Sequence, residues 1–286
     1  MPTYPVYLIL YVGIILLSTN GLFAKGIPLD ATSITQIRSV IAAIGIIVYL
    51  LIFKRAFWIS DNKKLMGVYG LGILMGLHWV TFFHAMQVAT IAIGMIALYT
   101  FPVMVVFMEA LVHRSIPHWK DLLSAVLVLL GIVLMAGGDS VSLDSTRLQG
   151  VFWGVISAFL FASRNIIQKY YFADVASEKL MLHQVIAISV MLLLFVDTTA
   201  VSELASISWI KLIVLGLLTT AGAHTLLVMS YKNLPAKTVA MISCLQPVIG
   251  ALLAWLFIKE QPTLFIVIGG AIILSVAVYE SVNNNK

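Results

Sequence analysis

Ten apolar runs of about twenty residues follow one another at about 5–23, 33–53, 67–87, 91–112, 121–137, 148–169, 180–197, 209–231, 237–258 and 263–281. A helix needs about 20 apolar residues to cross a hydrocarbon core about 30 Å thick. A soluble chain of 286 residues could not hide ten such segments, because its outer shell faces water. Charged residues are only 10% of the chain and hydrophobic ones 61%, with a mean hydropathy of +1.06. Lipid is the solvent that fits. Backbone polar groups have no partner in lipid unless they pair within their own segment, so each run is expected to be an α-helix. Uninterrupted apolar runs also exclude the period-two alternation of a membrane β-barrel. The expected fold is an all-α integral membrane protein of about ten transmembrane helices.

The net charge of +5 is spread through short loops and forms no basic patch, which argues against nucleic acid as a partner. Charge instead sets topology. With a cytoplasmic N-terminus, Lys54, Arg55, Lys63, Lys64, Arg114, Lys120, Lys169, Lys179, Lys232, Lys237 and Lys286 fall inside, and Lys25, Arg147, Lys211 and Lys259 outside. That bias puts both termini in the cytoplasm, and a bacterial inner membrane is the expected location. The N-terminus has no basic segment and no A-x-A site, so the first run reads as a retained helix. Cys244 is the single cysteine; it excludes an intrachain disulfide and reads as a packing residue.

The chain matches itself at a shift of about 145 residues. Phe101-Pro102-Val103 overlies Gln246-Pro247-Val248, and Arg114-Ser115-Ile116-Pro117 overlies Lys259-Glu260-Gln261-Pro262. The expected units are 1–140 and 147–286, each of five helices. Five is odd, so the second unit must enter the membrane inverted, as in many secondary transporters. Gly72 and Gly76, Gly150, Gly154, Ala158 and Ala162, and Gly250 and Ala254 form four-residue stripes that let helix backbones approach closely.

These features resemble the drug/metabolite transporter superfamily in its EamA-like branch. The likeness is carried by Asn20-Gly21-Leu22-Phe23-Ala24-Lys25, by Arg38 early in the second run, by Phe82-Phe83-His84-Ala85-Met86, and by Pro102. In the second unit it is carried by Gln246-Pro247, Lys259-Glu260 and Gly269-Gly270. It spans nearly the whole chain as two tandem units. The resemblance implies a ten-helix secondary transporter, often an exporter, of no particular substrate. Ser115 departs from the family's pattern, which usually has a glutamate there, and Arg164-Asn165 is unusually polar for the sixth helix.

Ionisable groups within a membrane helix are expensive, at about 2.5–3.5 kcal/mol near its centre on insertion scales, and they persist where they face a cavity or a partner. Arg38 and Arg164 are therefore candidates to bind substrate. His78 and His224 stand at nearly equivalent repeat positions, and His183 is near the equivalent of Arg38. Pro102 and Pro247 are expected to kink their helices, because proline frees a carbonyl one turn back. Tyr99 and Gln246 precede them and would offer polar groups at midplane. Trp79, Phe82 and Phe83 would wall the cavity. Glu109 is the only acid well inside a run, so the interior is biased positive and favours a ligand with a carboxylate or phosphate.

No G-x-x-x-x-G-K-[ST] segment is present, and neither H-E-x-x-H nor D-D-x-x-D occurs, so no cofactor, metal site or catalytic role is expected. Proton coupling is open only to Glu109 and the histidines, and uncoupled exchange is equally compatible. The expected function is alternating-access transport, in the export direction, of a small polar metabolite such as an amino acid or another compound with an anionic group. A channel or facilitator is the first alternative and a membrane enzyme the second. The fifth and tenth runs, the least polar, would pack outside in a monomer or at a homodimer contact.

Overall fold

The computed structural model describes residues 4–20, 23, 26–89, 91–135, 145–253, 255–256 and 264–283. The first half runs through α1 (Tyr4–Leu17), α2 (Ala31–Ile52), α3 (Asn62–Val88), α4 (Ile91–Leu98), α5 (Phe101–Val112) and α6 (Trp119–Met135). The second half begins with α7 (Ser145–Tyr171), α8 (Ser177–Met191) and the short α9 (Thr198–Ser202). There α10 (Ser206–Val214) continues through a π-helical stretch, Leu215–Ala223, into α11 (His224–Asn233). α12 (Ala236–Ser243), α13 (Leu245–Leu253) and α14 (Leu264–Asn283) close the chain. No strand occurs among the described residues.

By length and composition, Ala31–Ile52, Asn62–Val88, Leu148–Tyr171, Ser206–Asn233 and Ala236–Leu253 can each cross a membrane. Pro5–Leu17, Phe101–Val112 and Leu264–Tyr279 are shorter apolar helices. Large apolar side chains such as Leu8, Ile52, Leu111, Val133, Phe159 and Ile213 are exposed on the outside of the bundle, which suits hydrocarbon and not water. Trp58, Trp119 and Trp209 are exposed near helix ends, where amphipathic rings suit a lipid–water boundary.

Local chemistry sets the boundaries. Asp30 accepts from the amides of Thr32 and Ser33 at 2.9 and 3.2 Å and so starts α2. Asp61 does the same for α3 through Lys63 and Lys64. The seventh run was expected to reach 197, but α8 ends at Met191. Leu193–Phe195 tightens into a 3₁₀ turn, and Asp197 caps α9 by accepting from the amide of Ala200. Lys259-Glu260-Gln261-Pro262, Gly21, Leu22, Ala24, Lys25 and Lys286 lie outside the described residues.

The fourth and ninth runs are each broken at equivalent points. α4 stops at Leu98 and α5 starts at Phe101, while α12 stops at Ser243 and α13 starts at Leu245. Tyr99 and Cys244 sit in the breaks, 145 residues apart. Pro102 and Pro247 supply the cause, since neither has an N–H to return to the carbonyl four residues back. Side chains at the breaks bond back to carbonyls of the preceding turn: Thr100 Oγ1 donates to Ala97 O at 2.7 Å and Ser243 Oγ to Val239 O at 2.7 Å.

Close helix contacts follow the small-residue stripes. A side chain at Gly72 on α3 would meet Ala187 Cβ at 2.7 Å and Gln184 O at 2.8 Å on α8. Gly154 on α7 lies against Ala97 of α4. α6 and α14 pack on each other through Gly131 and Gly269, with their outer faces exposed.

Candidate functional site

A pocket lies where the two halves meet, lined from α1, α2, α3, α7, α11, α13 and the α4–α5 break. Of the nine side chains expected to bind substrate, it gathers Arg38, His78, Trp79, Phe82, Tyr99, His224 and Gln246. Its volume is about 30 Å³, room for a water and not for a metabolite.

Arg38 is fully buried. Its Nε donates to Thr220 Oγ1 at 2.7 Å and Nη2 to Thr219 Oγ1 at 3.4 Å. Both threonines stand on the π-helical stretch, and both donate to Leu215 O, at 2.7 and 2.8 Å. The widened turn thus offers two adjacent hydroxyl oxygens to one guanidinium. The guanidinium carbon lies 4.4 Å from the centre of the Trp79 ring and 5.4 Å from that of Phe83. Such stacking favours a desolvated cation. Nη1 has no partner.

His224 rests against Trp79 with ring centres 5.1 Å apart, and neither of its ring nitrogens has a partner. Asn20 Oδ1 is likewise buried and unpaired. Three orphaned polar groups in one pocket are costly, at about 1–3 kcal/mol each for neutral groups. His78 differs. Its Nδ1 lies 2.7 Å from Ser157 Oγ and 3.1 Å from Ser157 O, and its ring is stacked 4.5 Å from Phe161. It builds the wall and has its partners within the protein.

Arg164 and His183, expected to line the cavity, stand outside this pocket. Arg164 donates to Gln184 Oε1 from Nε and Nη2 at 2.9 and 2.6 Å, and to Asn165 Oδ1 at 2.8 Å. Asn165 donates to Tyr231 OH, and Gln184 to Gln168 Oε1. The network ties α7, α8 and α11 together. His183 Nε2 lies 2.9 Å from Phe57 O, beside the α2–α3 loop. Glu109 accepts from Tyr170 OH at 2.6 Å and from the amides of Ala236 and Lys237 at 3.0 and 2.9 Å. It caps α12 and pins α5 of the first half to the second half.

Sequence reasoning passed over Asn20 as a pocket residue, and also Phe101 and Phe161. It passed over Thr219 and Thr220 as the acceptors for Arg38. Two adjacent threonines flanked by Gly216 and Gly222 within an apolar run were the available signal.

Loops collect at two ends. At one, Arg55 pairs with Glu178 at 2.8 Å, Lys64 with Asp174, and Lys237 with Asp121 at 2.8 Å. At the other, Lys211 Nζ donates to Gly26 O at 2.7 Å and the Asp197 amide to Ser33 Oγ at 3.0 Å.

An all-helical, lipid-exposed bundle with matched helix breaks and a buried polar pocket between its halves defines a multi-pass membrane protein of the transporter kind. The chain belongs to the EamA-like transporter family, whose sequence profile matches it twice, at residues 5–137 and 148–279. It is 22% identical over 262 residues to an uncharacterized transporter of Archaeoglobus fulgidus, covering 91% of this chain and 90% of that one. A solved crystal structure superposes with a TM-score of 0.81 at 19% identity over 98% of each chain, a likeness of fold.

Proposed function

We propose that this protein is a secondary transporter that exports a small metabolite bearing an anionic group across a bacterial cytoplasmic membrane. Its ten membrane spans form two inverted units, 1–140 and 147–286, with both termini cytoplasmic. The single observation that carries the substrate reading is Arg38, a buried guanidinium with a free Nη1 in a pocket that no Asp or Glu among the described residues lines. A carboxylate or phosphate would neutralise it and take its open donor.

Alternating access suits the geometry. The pocket is contracted, so a metabolite would enter only as the units move apart, with the breaks at Tyr99 and Cys244 as pivots. The grouping of alternate loops at opposite ends supports alternating spans. On that topology the ion pairs of Arg55 and Lys64 lie on the cytoplasmic side. α6 and α14 contribute nothing to the pocket lining and are the natural homodimer face, if the protein is not a monomer in the bilayer. An uncoupled facilitator is the second reading, favoured by the engagement of Glu109 as a helix cap, which leaves few groups to carry a coupling proton.

The test compares the medium around cells expressing wild type and Arg38→Ala at matched membrane levels. A metabolite enriched outside only with the wild type would name the substrate and the direction. Identical media, together with equal uptake of anions by both proteins in liposomes, would remove Arg38 from the site.

A further inference from the structure

We propose that the ligand is a hydroxycarboxylate with a flat apolar body, bound as a monoanion, and that zwitterionic amino acids are rejected. The inference rests on the reading of the Arg38 pocket as the transport site and narrows its substrate class.

Charge comes first. Among the described residues, the ionisable side chains lining the pocket are Arg38, His78, His224 and Tyr99, with no carboxylate among them. A monoanion brings Arg38 to neutrality. A zwitterion supplies the same carboxylate but adds an ammonium group beside a guanidinium, with no acid to receive it, in a medium where such charges are poorly screened.

The unpaired atoms then specify the polar groups. Arg38 Nη1 is a pure donor and suits a carboxylate oxygen. Neutral His224 offers one donor and one acceptor, so its N–H can serve the second carboxylate oxygen. Asn20 Oδ1 is an acceptor and calls for a donor on the ligand. A hydroxyl is such a donor without charge. Much of the remaining wall is aromatic, with Trp79, Phe82, Phe101 and Phe161 lining it beside aliphatic Met95 and Leu98, which suits a planar apolar body.

The experiment uses the purified full chain in liposomes and the uptake of radiolabelled 3-phenyllactate at pH 7. Competitors are unlabelled 3-phenyllactate, 3-phenylpropionate, phenylalanine and phenylalaninol, which share one ring and differ in polar groups. Phenyllactate is expected to compete best. Phenylpropionate should be about fivefold weaker or more, since Asn20 is left unpaired, and phenylalanine about tenfold weaker or more. Asn20→Ala should remove the advantage of phenyllactate over phenylpropionate, and Arg38→Ala should abolish uptake. Phenylalanine competing as well as phenyllactate, with uptake still dependent on Arg38, overturns the hydroxycarboxylate proposal and leaves the anion reading standing. Competition by phenylalaninol alone overturns the anion reading itself. Absence of any Arg38-dependent phenyllactate uptake overturns the proposal, and the anion reading then stands or falls by the media comparison.

Discussion

Gly70 and Gly72 stand two residues apart on α3 and face different surroundings, so the same substitution at each should have opposite effects. A Cβ at Gly70 meets nothing within 4 Å. Alanine there stiffens an exposed helical position and should stabilise by about 0.5–1 kcal/mol. A Cβ at Gly72 would fall 2.7 Å from Ala187 Cβ, 2.8 Å from Gln184 O and 3.0 Å from Gln184 Cα. Two of those atoms belong to the α8 backbone and cannot swing aside. Overpacking of this kind costs about 1–3 kcal/mol, and with two contacts under 3 Å the upper part of that range applies. After the gain in helix propensity, Gly72→Ala should lose about 1–2 kcal/mol. At about 2–4 °C per kcal/mol for a chain of this size, Gly70→Ala raises Tm by about 1–4 °C and Gly72→Ala lowers it by about 2–8 °C. The assay is thermal unfolding of purified protein in one detergent, followed by monodispersity on gel filtration. Equal shifts for the two variants would refute the claim that α3 and α8 touch backbone to backbone at Gly72.

Three further outcomes follow from other contacts. Trp79→Leu removes the ring stacked on Arg38 and should raise the KM for an anionic substrate about 2- to 30-fold, the equivalent of about 0.5–2 kcal/mol, while the level of inserted protein stays the same; an unchanged KM in liposomes would separate Trp79 from the site. Glu109→Gln keeps one acceptor oxygen where two serve Tyr170 and the α12 amides, so it should lower stability by about 1–2 kcal/mol and leave the response of flux to a pH gradient intact. Loss of that response would make Glu109 a proton carrier. Lys64→Asp should speed maleimide labelling of a cysteine placed at the buried Val175, and the reciprocal pair with Asp174→Lys should slow it again. The hydrogen bond from Lys64 holds the Asp174 carboxyl below its ordinary range, so the pair persists at neutral pH and is lost only as the pH falls through that depressed value.

The membrane class and the helical content were legible because they follow from one-dimensional facts: run length, apolarity and the absence of alternation. Kinks at Pro102 and Pro247 could be expected, since a missing N–H acts within one turn of chain, but the break at Cys244 itself could not be read. The sequence also marked Arg38, because an arginine within an apolar run demands an explanation whatever surrounds it. It could not tell Arg38 from Arg164, which carries the same chemistry at a similar remove from a helix end. Only the packing decided that Arg164 meets Gln184 and Asn165 and is satisfied, while Arg38 meets two hydroxyls on a widened turn and keeps one nitrogen open. His183, near the sequence equivalent of Arg38, shows the same limit: its position in the repeat brings it to the carbonyl of Phe57 and not to the pocket. The sequence alone determined that the chain is helical and which side chains are out of place in lipid. The tertiary structure decided which of those side chains found partners, because a hydrogen bond depends on the distance across helices and that distance is set by how the small-residue faces let them close.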